Sequence, residues 1–533
     1  MATIVQTIKK YNFLIASLFI NLFLCFPALL NRGIFWDDWT LYHNSPAIII
    51  KTFSESGYPW FAYPHIYFSS FENSIALYRV IVLGASLFTT ILFSKLLEIS
   101  QVFNKTTNGY LLILFVVMPF FACRFLMISV FHGICLSMFL GGLYLFAAKN
   151  DNLFFRIISL ALFFLSFSLN SLLVFYGVIF LCILNKYGLK QSNLRILSKH
   201  IDFIILPIVF WVSQSLAGHP SGLYMEDLDY NQIHFNVLTK LPAKYAMFVN
   251  DSLLGIVSEY TKYSYPYFSI LLILGITIVF FRNRRQKRRI NISSNLKSIP
   301  LLVIAVILLT LSVAAYLMVR KIPSFYGFEN RHQVLLPISA SFLIISMSII
   351  FIKENMRVYV LIFIIGISFY LNLYYQYRYL IGWMKNESIV YNFKSSDTIR
   401  NSSTFIVYDH VPMLSATNRE LTHYEYSGMS KVAFNNQEKL YITQTILSNK
   451  EITALAYINR YFKHNIQESY NIKDYAFSDQ AIVIHVRQGK KNLESIQALF
   501  RCLYLYYFDH NIFLLEIGDY LTIETDSNQV PIN

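Results

Sequence analysis

Apolar stretches near the length that crosses a bilayer, about 20 residues, recur along this chain at 11–30, 76–97, 109–123, 130–148, 155–169, 171–185, 201–217, 264–281, 298–318, 333–352 and 357–377. A water-soluble core has no room for so many. Of 533 residues, 55% are hydrophobic and 14% charged, against roughly 25% charged in a soluble domain. The fold class that follows is an α-helical polytopic membrane protein of about eleven transmembrane helices. The net charge of +14 does not point to nucleic acid. Its basic residues lie between apolar stretches, most densely at Arg282–Arg289, where such runs ordinarily set topology. Four of the five cysteines fall in apolar runs and Cys502 stands alone in the polar tail, so no disulfide framework or metal cluster is indicated. Lys9 and Lys10 precede the first apolar stretch as in a signal peptide, but no cleavage site follows, which predicts an uncleaved first span.

The run Phe154–Leu184 is long for one span and short for two. Read as a hairpin bent near Asn170-Ser171, it keeps two later basic loops, Lys186–Lys199 and Arg282–Arg289, inside the cell, as positive-inside bias favours. Eleven spans then leave the amino terminus cytoplasmic and the carboxyl terminus outside, in the cell membrane. Residues 1–384 form the membrane domain, with outer loops at 31–75 and 218–262, the second carrying Glu226, Asp227 and Asp229. Residues 385–533 are long enough for a core of their own and predict an extracytoplasmic α/β domain. Its strand-like runs are Thr404–Tyr408, Ala481–Val486 and Leu514–Glu516, and its helical patterns Lys450–Phe462 and Leu493–Tyr507.

Chemistry is most concentrated just after the first span, where Asp37-Asp38 lies inside Phe35-Trp36-Asp37-Asp38-Trp39. Tryptophan favours the membrane–water interface, whereas carboxylates near hydrocarbon cost several kcal/mol and need a reason. One reason is capping of a short interfacial helix. Others are chemical. Adjacent carboxylates repel, which raises proton affinity and lets one accept a proton from a hydroxyl, or the pair could hold a divalent cation. Among cations, Arg331 and His332 open the tenth span, where a guanidinium can bind phosphate bidentately or snorkel to the interface. Arg79 and Arg124 stand at other span ends with the same alternatives. Lys262, Arg320 and Lys321 could share a phosphate site, but read first as rim charges. His65 could orient substrate or be a solvated loop residue, and Tyr42 could stack on a sugar or serve the aromatic belt. No Walker loop, dinucleotide fingerprint or His-Glu-x-x-His element occurs.

The order of these features resembles the GT-C glycosyltransferases, membrane enzymes that use sugars carried on polyprenyl phosphate. The resemblance rests on Asp37-Asp38 in the first outer loop with Tyr42 after it, Tyr63–Tyr67, Leu77-Tyr78-Arg79, Pro119 with Arg124 and His132, and Glu329-Asn330-Arg331-His332 before Pro337. Pro64-His65 resembles a His-Pro-Pro element in altered order. His132 stands at about the place of an aspartate, and no lysine marks the hairpin bend. The resemblance implies an outer-face cleft in which Asp37 accepts the proton of the attacking hydroxyl and Asp38 orients the acceptor or helps bind Mg or Mn. Arg331, with Arg79 and Arg124, would neutralise the leaving lipid phosphate. Substrates would be a polyprenyl-phosphate sugar and a polysaccharide, lipid or protein acceptor, with inversion at the anomeric carbon and no obligatory cofactor. The rival readings are a flippase of lipid-linked saccharides, a ligase for whole oligosaccharides, and a non-catalytic surface-assembly factor.

Overall fold

A computed structural model describes residues 2–42, 44–187, 198–217, 237–263, 273–275, 277, 291–325, 327–434, 439–447, 480–526 and 530–531. Among them five helices are long and apolar enough to cross a membrane: Asn12–Leu30, Ser74–Ser100, Val130–Lys149, Ser298–Met318 and Glu354–Ser395. Gly327–Gln333 and Leu336–Phe351, bent by 72°, add a sixth if they are one broken span. Lys105–Val117, Leu153–Ser166, Asn170–Ile183 and Ile201–Leu216 are apolar but shorter. This is the make-up of a helical membrane protein with five or six full-length spans among the described residues. Four more of the eleven stretches read from the sequence are present as the shorter apolar helices. The expected span at 264–281 falls mostly outside the described residues, as do the basic run Arg282–Arg289 and the acidic group Glu226, Asp227 and Asp229.

Local chemistry explains several helix ends. Asn104 accepts the Thr107 N–H at the start of Lys105–Val117, and Asn152 accepts the Phe154 N–H before Leu153–Ser166, which satisfies amides that no helical carbonyl can reach. Residues 167–169 break the long apolar run, and helix resumes at Asn170. Between helices, Asn21 donates to Thr90 at 3.0 Å and Thr89 bonds Ser137 at 2.7 Å, the kind of polar glue that holds helices where water cannot.

The last long helix continues without interruption from Glu354 to Ser395. Its 42 residues span about 63 Å, roughly twice the hydrocarbon thickness. The boundary expected between residues 384 and 385 therefore lies inside one rod shared by the bundle and the tail. Around its second half the tail builds a small sheet of β1 (Thr404–Asp409), β2 (Leu440–Thr443), β3 (Gln480–Gln488), β4 (Leu521–Thr525) and β5 (Val530–Pro531), ordered β2-β1-β3-β4. β1 runs parallel to β2 and β3, while β4 and β5 run antiparallel to β3. Helices His423–Ala433, Ile496–Phe508 and His510–Ile517 accompany it.

One expected strand is helix instead. Leu514–Glu516 lies within His510–Ile517, whose start is capped by the Asp509 carboxylate accepting the Ile512 N–H. Phe513 and Ile517, four residues apart, are both buried, a helical rather than alternating pattern. The helical pattern expected at Lys450–Phe462 lies outside the described residues.

Candidate functional site

Residues Trp36–Thr40 form a single 3-10 turn after the first span. Its three residues per turn rotate consecutive side chains by about 120°, which separates the two aspartates. Asp37 faces a cleft of about 430 Å³, and its side chain keeps 31% exposure. Asp38 faces inward at 0% exposure. The carboxylates of the doublet thus occupy different environments.

The Asp37 carboxylate accepts from the Tyr424 hydroxyl at 3.0 Å through Oδ1 and meets Arg331 Nη1 at 3.4 Å through Oδ2. Arg331 lies over the Trp36 ring, 4.1 Å from its centre. Trp36 stacks on Phe328 at 4.6 Å with 5° between planes, and the far face of Phe328 meets Arg419 at 4.8 Å. Two guanidinium groups therefore enclose two aromatic rings, an arrangement worth about 0.5–2 kcal/mol per cation–ring contact. Trp36 itself has φ of 48°, a left-handed conformation that costs a bulky residue about 1–3 kcal/mol. The stack helps to hold it there, together with Glu425, which accepts the Trp36 N–H at 2.9 Å and the Arg419 guanidinium at 2.7 Å. Glu425 also closes a capping box with Thr422 at the start of His423–Ala433, the helix that presents Tyr424. In this helix Gly428 lies against Trp39, where any side chain would enter the indole.

Burial pushes the Asp37 carboxyl above its ordinary proton affinity, against the pull of Arg331 and Tyr424. Asp38 is pushed up to about 7, mainly by burial, with Arg79 and the Ile128 and Met127 amides opposing. The neighbouring Asp37, expected to raise it by repulsion, contributes least. Asp38 Oδ1 accepts the Ile128 N–H at 3.0 Å. As the expected ligand for Mg or Mn, it meets a backbone amide and the charge of Arg79 instead. Among the described residues no group of three His, Cys, Asp or Glu side chains could hold one ion. These residues do not fit a divalent cation.

The other sequence-named residues divide by position. His132 and His332 line the cleft with Asp37 and Arg331, and His332 Nε2 lies 3.1 Å from Glu329. Arg79 is buried behind the wall and donates to the Gly33 carbonyl at 3.0 Å. Arg124 lines a different, small cavity beside Asn21 and Thr90, with its guanidinium over Phe125. His65 is fully buried rather than solvated, 2.7 Å from the Tyr78 hydroxyl and stacked on Phe53. Burial lowers it to about 3, so it stays neutral. Tyr42 belongs to a separate cavity of about 240 Å³ with Arg32, Trp383 and Glu387.

One residue of the cleft escapes the sequence reading and another ranks too low in it. Lys321, preferred there as a rim charge over a phosphate contact, lines the cleft, and burial together with Arg331 lowers its ammonium to about 8. Tyr424 comes from the tail, 387 positions from its partner, and no spacing rule links them. The Thr422-x-x-Glu425 box could have located its helix, but not what that helix faces. The charged lining residues among those described are Asp37, Lys321 and Arg331, one net positive charge, and Phe53, Phe61 and Phe131 supply apolar wall. Such a site can bind an anion beside an apolar chain and take up one proton.

Compared with known proteins, the chain matches no family model, no curated protein and no solved structure.

Proposed function

We propose that this protein is an inverting membrane glycosyltransferase of GT-C type that moves a sugar from a polyprenyl-phosphate carrier to a polysaccharide, lipid or protein acceptor. The observation that carries the reading is the convergence of Asp37, Arg331 and Lys321 on one cleft. A carboxylate with raised proton affinity stands there beside two cations and an apolar wall. The five long spans, the bent pair and the four shorter apolar helices, with the apolar stretch that the sequence alone offers at 264–281, would make eleven crossings. Positive-inside bias would then have the cleft and the α/β tail on the outer face.

The chemistry follows from charge. The acceptor oxygen bonds to the anomeric carbon as the bond from that carbon to the phosphate oxygen breaks, and Asp37 takes the hydroxyl proton. The carrier phosphate goes from one negative charge to two, which Arg331 and Lys321 stabilise in a site of low dielectric. Tyr424 fixes the Asp37 carboxylate in place. Buried Asp38 and Arg79 brace the turn that carries it.

A carrier of lipid-linked saccharides is the second reading, favoured by the 72° bend between Gly327–Gln333 and Leu336–Phe351, since broken helices often line transport sites. Mass spectrometry of surface glycans separates the two, comparing cells with the protein, without it, and with Asp37→Asn. A glycan short by one sugar in both altered strains supports transfer. Accumulated unexported precursor supports the carrier, and a full-length glycan with Asp37→Asn removes Asp37 as the base.

A further inference from the structure

The tail helix Ile496–Phe508 is apolar on two faces. Leu499, Cys502, Leu503 and Leu505 point into the core. Ile496, Phe500, Tyr504 and Phe508, four residues apart, face outward, Phe500 at 67% and Phe508 at 77% exposure. Ile512 and Leu515 of the next helix are exposed as well. The neighbouring charges, Arg501 and Glu516, are paired with each other at 2.8 Å. A helix on the rim of a soluble domain carries charge on its outer face, and a contiguous apolar row left outside marks a surface that something apolar covers.

Two observations say what covers it. The Tyr507 hydroxyl donates to the carbonyl of Leu30 at 2.6 Å. Leu30 is the last residue of the span Asn12–Leu30, and Arg32 just beyond it lies 5.9 Å from the centre of the Tyr507 ring. The helix therefore lies at the level where the first span ends. Tyr63, Tyr67 and Phe71 make a second exposed row at the same four-residue spacing, and it ends three residues before the span Ser74–Ser100 begins. Aromatic rings gather at that level of a bilayer because one end of the ring is apolar and the other tolerates water.

We infer that the row Ile496, Phe500, Tyr504 and Phe508, with Ile512 and Leu515, lies in the lipid headgroup boundary and docks the tail on the bilayer, as interfacial helices do. This rests on the reading that the bundle crosses a membrane. The tail is then held from two sides, by the long helix through its centre and by lipid at its edge. Tyr424 is carried against Asp37 by a domain that cannot drift from the membrane.

The test uses the full chain with Cys25, Cys123, Cys135, Cys182 and Cys502 replaced, reconstituted in vesicles of phosphatidylethanolamine and phosphatidylglycerol. Nitroxide labels go at Phe500→Cys, Tyr504→Cys and Phe508→Cys, with Gln497→Cys and Arg501→Cys on the flank and Phe19→Cys and Phe23→Cys on the first span. Collision with oxygen should exceed collision with a water-soluble nickel chelate several-fold at 500, 504 and 508, and fall below it at 497 and 501. Nickel access at 500, 504 and 508, with lipid contact at 19 and 23, overturns the docking while leaving the membrane reading standing. Protection from both reagents, or spin–spin broadening, means a protein cover and overturns it too. Nickel access at 19 and 23 overturns the membrane reading and the docking together. Should the cysteine-free chain misfold, a photo-crosslinking phenylalanine at 500, 504 and 508 of the otherwise native chain reads the same question, with lipid adducts as the supporting result and protein adducts as the overturning one.

Discussion

Asp37 with Arg331 and Asp409 with Lys385 are both aspartate–cation pairs that join different elements of the fold, yet they are built for opposite ends. Lys385 Nζ meets Asp409 Oδ2 at 2.6 Å with both side chains at 0% exposure. The pair is completed by bonds from Lys385 to the Val411 carbonyl at 2.9 Å and from the Val411 N–H to Asp409 at 3.0 Å. It pins β1 to the long helix. The Asp37–Arg331 contact is looser, at 3.4 Å, and opens on the cleft. Separating the sealed charges would leave each stranded in apolar surroundings. Separating the open pair exposes both to the cleft, where a substrate can take over the contacts. The sealed pair holds a joint together, and the open pair is left free to work.

Substitutions at the two pairs should therefore fail in opposite ways. Asp37→Asn should lower transfer by about 10²–10⁴-fold while the detergent-solubilised protein keeps its elution profile and unfolding temperature; equal losses in both measurements would break the distinction. Lys385→Met should do the reverse. It strands Asp409 and costs about 3–5 kcal/mol of stability, seen as a lower unfolding temperature, with normal turnover per folded molecule. Adding Asp409→Leu should restore most of that stability. Gly428→Ala drives a methyl group into the Trp39 indole and should tilt the Asp37 turn. About tenfold lower kcat per folded molecule is expected, of the order a small misplacement of reacting groups costs, together with about 1–3 kcal/mol of stability lost to overpacking. Arg331→Lys keeps the charge but gives up the flat stack on Trp36, about 0.5–2 kcal/mol, so a rise in KM of some 2- to 30-fold for the lipid-linked donor is expected, and an unchanged KM would remove the stacked guanidinium from donor binding.

The smallest expected effect concerns pH. Asp38 in the fold holds its proton up to about 7, against 3.8 ordinarily. A group that binds its proton more tightly when folded stabilises most below its unfolded value, and that contribution is lost as pH rises through the folded one. Unfolding temperature should therefore fall from pH 4 to pH 7 in the wild type and fall less in Asp38→Asn. A slope of the opposite sign would mean that Arg79 outweighs burial. For Asp37, also raised, the acid limb of activity should lie above the ordinary aspartate range.

Much of the bundle was legible in the chain, because hydropathy over a span reports directly on what surrounds it. Among the described residues, the apolar runs, the break before Asn170 and the strands at 404–409 and 480–488 lie where the residues suggested. Helix length was less legible. Hydropathy drops after Tyr377, yet the helix goes on to Ser395, where the buried Arg378, Lys385 and Ser388 bond to the tail and Asn386 bonds to the Ile34 carbonyl. Of the site, the acidic turn and Arg331 could be named in advance, since carboxylates and guanidinium groups at span ends are costly enough to stand out.

Which aspartate faces the cleft depends on the 120° step of one 3-10 turn, something no composition encodes. That His65 is a buried neutral ring, that Arg124 and Tyr42 belong to other cavities, and that Tyr424 reaches back across most of the chain to the acid are all consequences of packing. The amino-acid order by itself settles what each segment will tolerate around it, because transfer from water is a property of the side chain alone. Which partners then meet is decided only when distant segments close on one another, since a hydrogen bond or ion pair is a property of two groups and the distance between them.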